Sequence, residues 1–354
     1  MNIWLDKTDK EKLKELINKR NLNFKALEIF SQYLNNCPYL VTSELVAEIT
    51  EECNVSEETA FISILSAACD LDTENDESDR AFERRYFYQS VKKLDEREYS
   101  EDPYLTNIVF PKIKEGAWEF TYLSYAPYEG FIRDDILLCE DLTEIPRLGF
   151  FSGKYSYPAV TEGEREWMAV KPNEIETMKE PIETVNGRVL TLGLGLGYFT
   201  YMASEKETVT EITVIEKDKT VIELFNKHIL PQFKNKDKVN VICTDAFEYV
   251  ENILADGEYD FVFADTWHDV SDGFDMYIRL KNSENKFIAT KFLYWIEKSL
   301  LSHLRWLLFD NLAETVLMDK SQDGKGEAIR SLDGIKRFLS DENLRRLARN
   351  VHRA

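Results

Sequence analysis

The chain has 354 residues, 44% of them hydrophobic and 31% charged, and carries a formal net charge of −21 at pH 7. That length allows two domains, or one large domain with an appendage. So negative a field excludes nucleic acid and anionic membrane surfaces as main partners, because both would repel it.

Residues 1 to about 125 read as an acidic helical domain. In "DKEKLKELINKRNLNFKALEIFSQYL", Leu13, Leu16, Ile17, Phe24, Leu27 and Phe30 recur at three- and four-residue steps with charges between them. "TSELVAEITEECNVSEETAFISILSAACDL" predicts two more helices, broken at Asn54 and restarted at Ser56. A short helix pair invites a DNA-binding reading, but residues 44–79 hold twelve acids and no Lys, Arg or His. A helix that reads DNA needs the opposite charge. A homo-oligomeric or protein partner would therefore dock through this domain.

From 126 to 180 the composition predicts a small β-rich connector. "YAPYEGFIRDDILLCED" and "IPRLGFFSGKYSYPAVTEGEREWMAV" are aromatic and β-branched, punctuated by Gly, Pro and Asp, as short strands and hairpins are. "PNEIETMKEPIETV" follows as a short amphipathic helix.

Residues 181–354 predict a doubly wound α/β domain with helical C-terminal additions. "RVLTLGLG", "EITVIEKD", "KVNVICTDA" and "YDFVFAD" are short apolar strands. They alternate with the helical runs "YFTYMASEK", "KTVIELFNKHIL" (closed by Pro231) and "FEYVENILAD". Such alternation means a parallel sheet with ligands at the strands' C-terminal ends. After Asp265 the alternation stops. "KFLYWIEKSLLSHLRWLLFDNLAETVLM" reads as one long helix, so the sheet is expected to end early. Residues 325–354 carry eight Lys/Arg against four acids, which reads as a solvated helix with a basic face.

Five cysteines (Cys37, Cys53, Cys69, Cys139, Cys243) never fall in a C-x-x-C spacing. That fits reduced thiols rather than disulfides or zinc ligands, and no metal site is expected. "MNIWLDKTDKEK" lacks the apolar core of a signal peptide. The most apolar window, "FLYWIEKSLLSHLRWLLFDNL", is interrupted by Glu297, Lys298, His303, Arg305 and Asp310. A cytoplasmic protein with no membrane partner is the expectation.

Function turns on "TLGLGLGYFT". Gly193, Gly195 and Gly197 form G-x-G-x-G, where a dinucleotide fold wants G-x-G-x-x-G, and no Gly-Lys-Ser/Thr follows to make a P-loop. Glu216 ends the second strand, 19 residues beyond Gly197, where a carboxylate accepts ribose hydroxyls of NAD or of an adenosyl compound. Asp245 ends strand three and Asp265 strand four. Three carboxylates on one rim would repel a pyrophosphate. They suit a ligand with an adenine amino group, an ammonium and a sulfonium, which is S-adenosylmethionine or a relative.

The run "VLTLGLGLGYFTYMA…ITVIEKD…VICTDAFEYV…YDFVFADTW" resembles the class I (Rossmann-like) S-adenosylmethionine-dependent methyltransferase superfamily over residues 185–270. The resemblance implies that Gly193, Gly195 and Gly197 line the methionine and ribose, and that Glu216 takes the ribose hydroxyls. It further implies that Asp245 with Ala246 meets the adenine edge, and that Asp265 lies beside the methyl group. Methyl transfer to a small acceptor is the implied activity, with a cationic acceptor suited to the abundant acid. In "ADTWHDVSDGFDMY", His268 is the base candidate, crowded by Asp265, Asp269, Asp272 and Asp275.

Two narrower resemblances divide the chemistry. "DTWHD" looks like the post-strand-four stretch of cation-dependent O-methyltransferases of the catechol type, which would pair Asp265 with Asp310 and Asn311 around magnesium. The layout of hairpins, "NEIETMKEPI" and a "DA" after strand three resembles spermidine synthases, aminopropyltransferases that use decarboxylated S-adenosylmethionine. That family's glycine loop has an internal Asp where Leu196 stands, and its Asp-Ser-x-Asp-Pro is here Asp265-Thr266-Trp267-His268-Asp269. A non-catalytic adenosyl-binding scaffold is the third reading.

Overall fold

Six helices open the chain in the computed structural model, which describes every residue except Met1, Trp4, Ala117, Glu164, 318–327 and 351–354. They are α1 (Lys7–Asn36), α2 (Ser43–Cys53), α3 (Glu57–Ala68), α4 (Glu77–Ser90), α5 (Glu96–Ser100) and α6 (Pro103–Asn107). Asp6, Thr42, Ser56 and Asp76 cap the first four with their side chains, each satisfying amides that lack an intrahelical partner. Asn54, at φ 51°, ends α2 in the left-handed conformation, where the sequence predicts the break. The buried stripe of α1 runs through Leu13, Leu16, Asn23, Ala26, Phe30 and Tyr33 rather than through Phe24, which stays exposed under the Arg20 guanidinium. Asn23 tolerates full burial because its amide bonds the Leu142 carbonyl, the Tyr86 hydroxyl and the Glu144 N–H.

The helical region ends before residue 125. Ile113–Glu115 (β1) and Trp118–Tyr125 (β2) are strands, and with Tyr155–Glu162 (β5) and Arg165–Ala169 (β6) they form an antiparallel sheet in the order β1-β2-β5-β6. The alternating "WEFTYLSY" has strand period, and its pairing with β5 overrides the helical reading. Between them, Phe131–Leu138 (β3) and Glu144–Phe150 (β4) pair antiparallel, with Lys92–Lys93 added along β4.

Helix α7 (Pro172–Thr184) leads into the parallel sheet. That sheet contains β7 (Gly187–Leu192), β8 (Val209–Glu216), β9 (Val239–Cys243), β10 (Phe261–Ala264) and β11 (Lys291–Tyr294), in the order β9-β8-β7-β10-β11. The intervening helices are α8 (Tyr198–Ser204), α9 (Lys219–Leu224), α10 (Ala246–Asn252) and α11 (Val270–Glu284). Strand order reverses between β7 and β10, and that switch point is where open α/β sheets bind ligands. Helix α9 runs on as a π-turn over Phe225–Ile229, and Pro231 sits in the short turn that closes it.

The fifth strand corrects the expectation of one long helix from 291. Phe292 and Tyr294 are buried in parallel register with Val262 and Ala264, and Ile296 at φ 46° breaks the chain before α12 (Glu297–Leu317). A four-residue apolar run has no period long enough to separate strand from helix. The C-terminal helices α13 (Leu332–Phe338) and α14 (Asp341–Ala348) follow. The expected basic face is partly spent inward: Arg345 pairs with Glu297 (2.8 Å) and Arg349 with Glu284 (2.5 Å). Lys325 and Arg353 lie outside the described residues. Among the described residues no helix is long and apolar enough to cross a membrane.

Candidate active site

The glycine loop connects β7 to α8 at the switch point, and its three glycines answer to different constraints. A Cβ on Gly193 would lie 1.9 Å from the Asp265 carbonyl oxygen, and one on Gly197 would lie 2.5 Å from the Phe225 ring. Those two glycines are packing necessities. Gly195, at φ +54°, would meet nothing within 4 Å, so it needs glycine for its backbone angle while its face stays open. Alanine at 193 is therefore expected to yield insoluble protein. Alanine at 195 is expected to fold with about 1 kcal/mol of backbone strain and to lose ligand affinity. Circular dichroism with titration calorimetry on both variants checks this.

The three rim acids end neighbouring strands as the sequence implies, but they are engaged differently. Glu216 accepts the Asp218 N–H (2.8 Å) and the Leu194 N–H (3.3 Å), tying the glycine loop to β8 while leaving lone pairs for a diol. Asp245 is exposed and caps α10, with one oxygen accepting the Phe247 and Glu248 amides at 2.9 and 3.0 Å. Ala246 is buried at the first position of that helix. Asp265 stands on the other side of the loop, two strands and so about 10 Å from Glu216. The Thr266 hydroxyl and Trp267 indole N–H beside it are buried with no hydrogen-bond partner among the described residues. A cleft lined by Trp118, Phe120, Met168, Leu196, Val221 and Phe225 opens at Gly195. An open glycine face, a diol acceptor and orphaned polar atoms on one rim fit an adenosyl ligand.

One partner of Asp265 escaped the sequence reading. Glu174, in the first turn of α7, acts on it directly: burial first, then the Glu174 charge, holds the Asp265 carboxyl far above the usual carboxylate range. Burial pushes Glu174 up to about 7, Lys171 pulls it down, and Glu166 pushes it up again. Lys171 is itself held by Glu166 at 2.5 Å, and Glu166 also receives the Tyr157 hydroxyl at 3.3 Å. Among the described residues no hydrogen-bond donor reaches the side-chain oxygens of Glu174 or Asp265. Two half-buried carboxylates that cannot both ionise cheaply form a site that welcomes a cation. The signal in the sequence was slight, a single acid early in "PNEIETMKEPIETV".

His268 is exposed. Its Nδ1 is 3.1 Å from Asp272, and its ring meets the edge of Trp167 with centroids 4.7 Å apart. Asp269 and Asp272 cap α11 reciprocally, so their carboxylates are committed to helix initiation. Asp310 and Asn311 sit on α12, not at a strand end; Asp310 pairs with Arg20 and the Asn311 amide bonds the Leu307 carbonyl. The structure does not bring them to Asp265. Among the described residues no group of three or more metal-ligating side chains occurs.

The spermine/spermidine synthase domain family model matches residues 177–279, less than a third of the chain. Solved structures similar to the chain include spermidine synthase from Thermotoga maritima, 18% identical with a TM-score of 0.29, covering 40% of this chain and 49% of that one. A spermidine synthase bound to the transition-state analogue AdoDATO is 19% identical with a TM-score of 0.28, covering 40% and 48%. A Klebsiella pneumoniae protein assigned as an O-methyltransferase is 15% identical with a TM-score of 0.25, covering 31% and 48%. The chain thus spans about half the length of each of these structures. It has no match among the curated proteins. Residues 177–279 are similar to a spermine/spermidine synthase domain within the Rossmann-like adenosyl-transferase superfamily.

Proposed function

We propose that the protein transfers an alkyl group from an S-adenosyl sulfonium to an amine, and that aminopropyl transfer from decarboxylated S-adenosylmethionine describes it better than methyl transfer. The observation that carries this is the Glu174–Asp265 pair, two half-buried carboxylates close enough to raise one another's ionisation cost and without donors among the described residues. The α-carboxylate of S-adenosylmethionine would be repelled there, and the one cation acting on Glu174, Lys171, is bound to Glu166. A donor ending in an ammonium, and an acceptor amine, meet the opposite field. The family match over residues 177–279 supports the same choice.

The bound donor supplies a thioether leaving group. The chain's own work is to place the acceptor nitrogen in line with the sulfur-bound carbon and to take its proton on Asp265. The new C–N bond forms as the C–S bond breaks, and the released proton leaves past His268 toward solvent. Glu216 holds the ribose, Asp245 and Ala246 the adenine edge, and the glycine loop the sulfur end.

Calorimetric titration with decarboxylated S-adenosylmethionine, S-adenosylmethionine, 5′-methylthioadenosine and NAD tests the proposal. The decarboxylated donor is expected to bind at least tenfold more tightly than S-adenosylmethionine, about 1.4 kcal/mol. Glu216→Ala is expected to weaken every adenosyl ligand together. Preference for S-adenosylmethionine would return the protein to methyl transfer, and binding of NAD alone would sink the donor site.

A further inference from the structure

We infer that Asp102, the cap of α6, and Tyr104 within α6, both far along the chain from the matched residues 177–279, are positioning residues for the donor's glycine loop. The inference rests on the reading of that rim as an adenosyl-donor site.

The N-terminal half of the loop is held by the sheet: the Gly193 N–H bonds the Ile215 carbonyl at 2.8 Å and the Leu194 N–H bonds Glu216 at 3.3 Å. The other half makes no backbone hydrogen bond to the parallel sheet among the described residues. Its anchor comes from α6. The Tyr104 hydroxyl, on a side chain with no exposed surface, donates to the carbonyl of Leu196, which lies between Gly195 and Gly197. Asp102 receives the Tyr104 N–H at 2.8 Å on one oxygen and the Tyr198 hydroxyl at 3.0 Å on the other. Tyr198 is the residue directly after the loop. The Tyr104 ring is wedged edge-on against Phe110, Tyr198 and Tyr201, with centroids 5.7, 5.5 and 5.3 Å away. One element thus pins a carbonyl inside the loop, directly after the open Gly195, and the side chain at the loop's exit. Asp102 is 8% exposed, and burial raises its carboxyl above the ordinary range while the bonds from Tyr104, Tyr198 and Leu105 pull it back. A group so placed earns its burial only by what it holds in register. Three positive-φ glycines give the unfolded loop many accessible conformers, and this clamp helps select one of them.

The test is a donor-side split measured on the full chain with 5′-methylthioadenosine and decarboxylated S-adenosylmethionine. Tyr104→Phe keeps the ring wedge and removes only the bond to Leu196. It is expected to raise the Kd of both ligands about tenfold while leaving acceptor KM within a factor of two. Tyr198→Phe is expected to do the same more weakly, and to have no further effect in an Asp102→Asn background. Should Tyr104→Phe fail to fold, Tyr198→Phe carries the test alone. Unchanged donor Kd in the variants, or equal loss on donor and acceptor sides, would overturn the positioning role. Failure of the unaltered protein to bind either nucleoside would instead overturn the donor site itself, and this inference with it.

Discussion

Asp265→Asn is expected to lower kcat about a thousandfold while changing the Kd of 5′-methylthioadenosine less than threefold. The carboxamide is nearly isosteric, and the Asp265 backbone, which meets Gly193 and bonds the Leu192 carbonyl through its N–H at 2.8 Å, is untouched by the change. What is lost, on the proposed mechanism, is the group that accepts the acceptor's proton. A base held far above the ordinary carboxylate range is better matched to an ammonium than a solvated aspartate is, because proton transfer to it is less uphill. His268→Ala gives the contrasting result. Its ring is exposed and tied to Asp272, so turnover is expected to fall less than tenfold. If His268→Ala costs more than Asp265→Asn, the histidine is the base and the carboxylate pair serves only to bind.

The parallel sheet was legible because its central strands β7, β8 and β10 are largely buried, so that short apolar runs such as "VLTL" and "FVFA" alternate with helical stretches. The rim acids were legible for the same reason: once the strands are placed, Glu216, Asp245 and Asp265 fall at their ends by counting. Strand β11 was not, because four residues carry no period and the helix behind them continues the apolar residues at helical spacing. The strands at 113–125 were hidden by their position behind a long helical region, although Leu123 and Tyr125 point inward, alternating with the exposed Tyr122 and Ser124. Glu174 illustrates a deeper limit. Its proximity to Asp265 depends on how α7 packs across the switch point, a contact between elements that no local pattern encodes. Asp102 and Tyr104 are the same case at longer range, since a glycine loop's supports need not be near it in the chain. Periodicity reaches as far as elements and their ends. The chemistry of this site lies in the meeting of two ends from different elements.

Glu174→Gln should make the protein more stable and less active, and the stability gain should depend on pH in one direction. The unfolded-state value of a glutamate is near 4.5, and burial with the Glu166 charge pushes Glu174 up to about 7 in the folded chain. A folded value raised above the unfolded one means that nothing is lost below about pH 4.5, where the carboxyl is neutral in both states. Stability then falls as pH rises from there through about 7, because the unfolded chain ionises first, and it levels off above. At about 1.4 kcal/mol per unit, the full penalty is roughly 2–3 kcal/mol after allowance for its partial exposure. Glutamine removes the titration. The variant is expected to match the unaltered protein at pH 4.5 and to melt about 3–4 °C higher at pH 8. Calorimetric scans at the two pH values check it, and an equal gap at both would mean that Glu174 ionises as readily in the folded chain as in the unfolded one. Activity moves the other way. An ammonium bound between the two carboxylates restores the charge balance that burial disfavours, so the unaltered site holds a cationic acceptor best when both groups are ionised. With one charge removed, acceptor KM is expected to rise about tenfold at pH 8 while the nucleoside Kd stays put. The stability forgone at neutral pH is then the same free energy that, on binding, selects an amine.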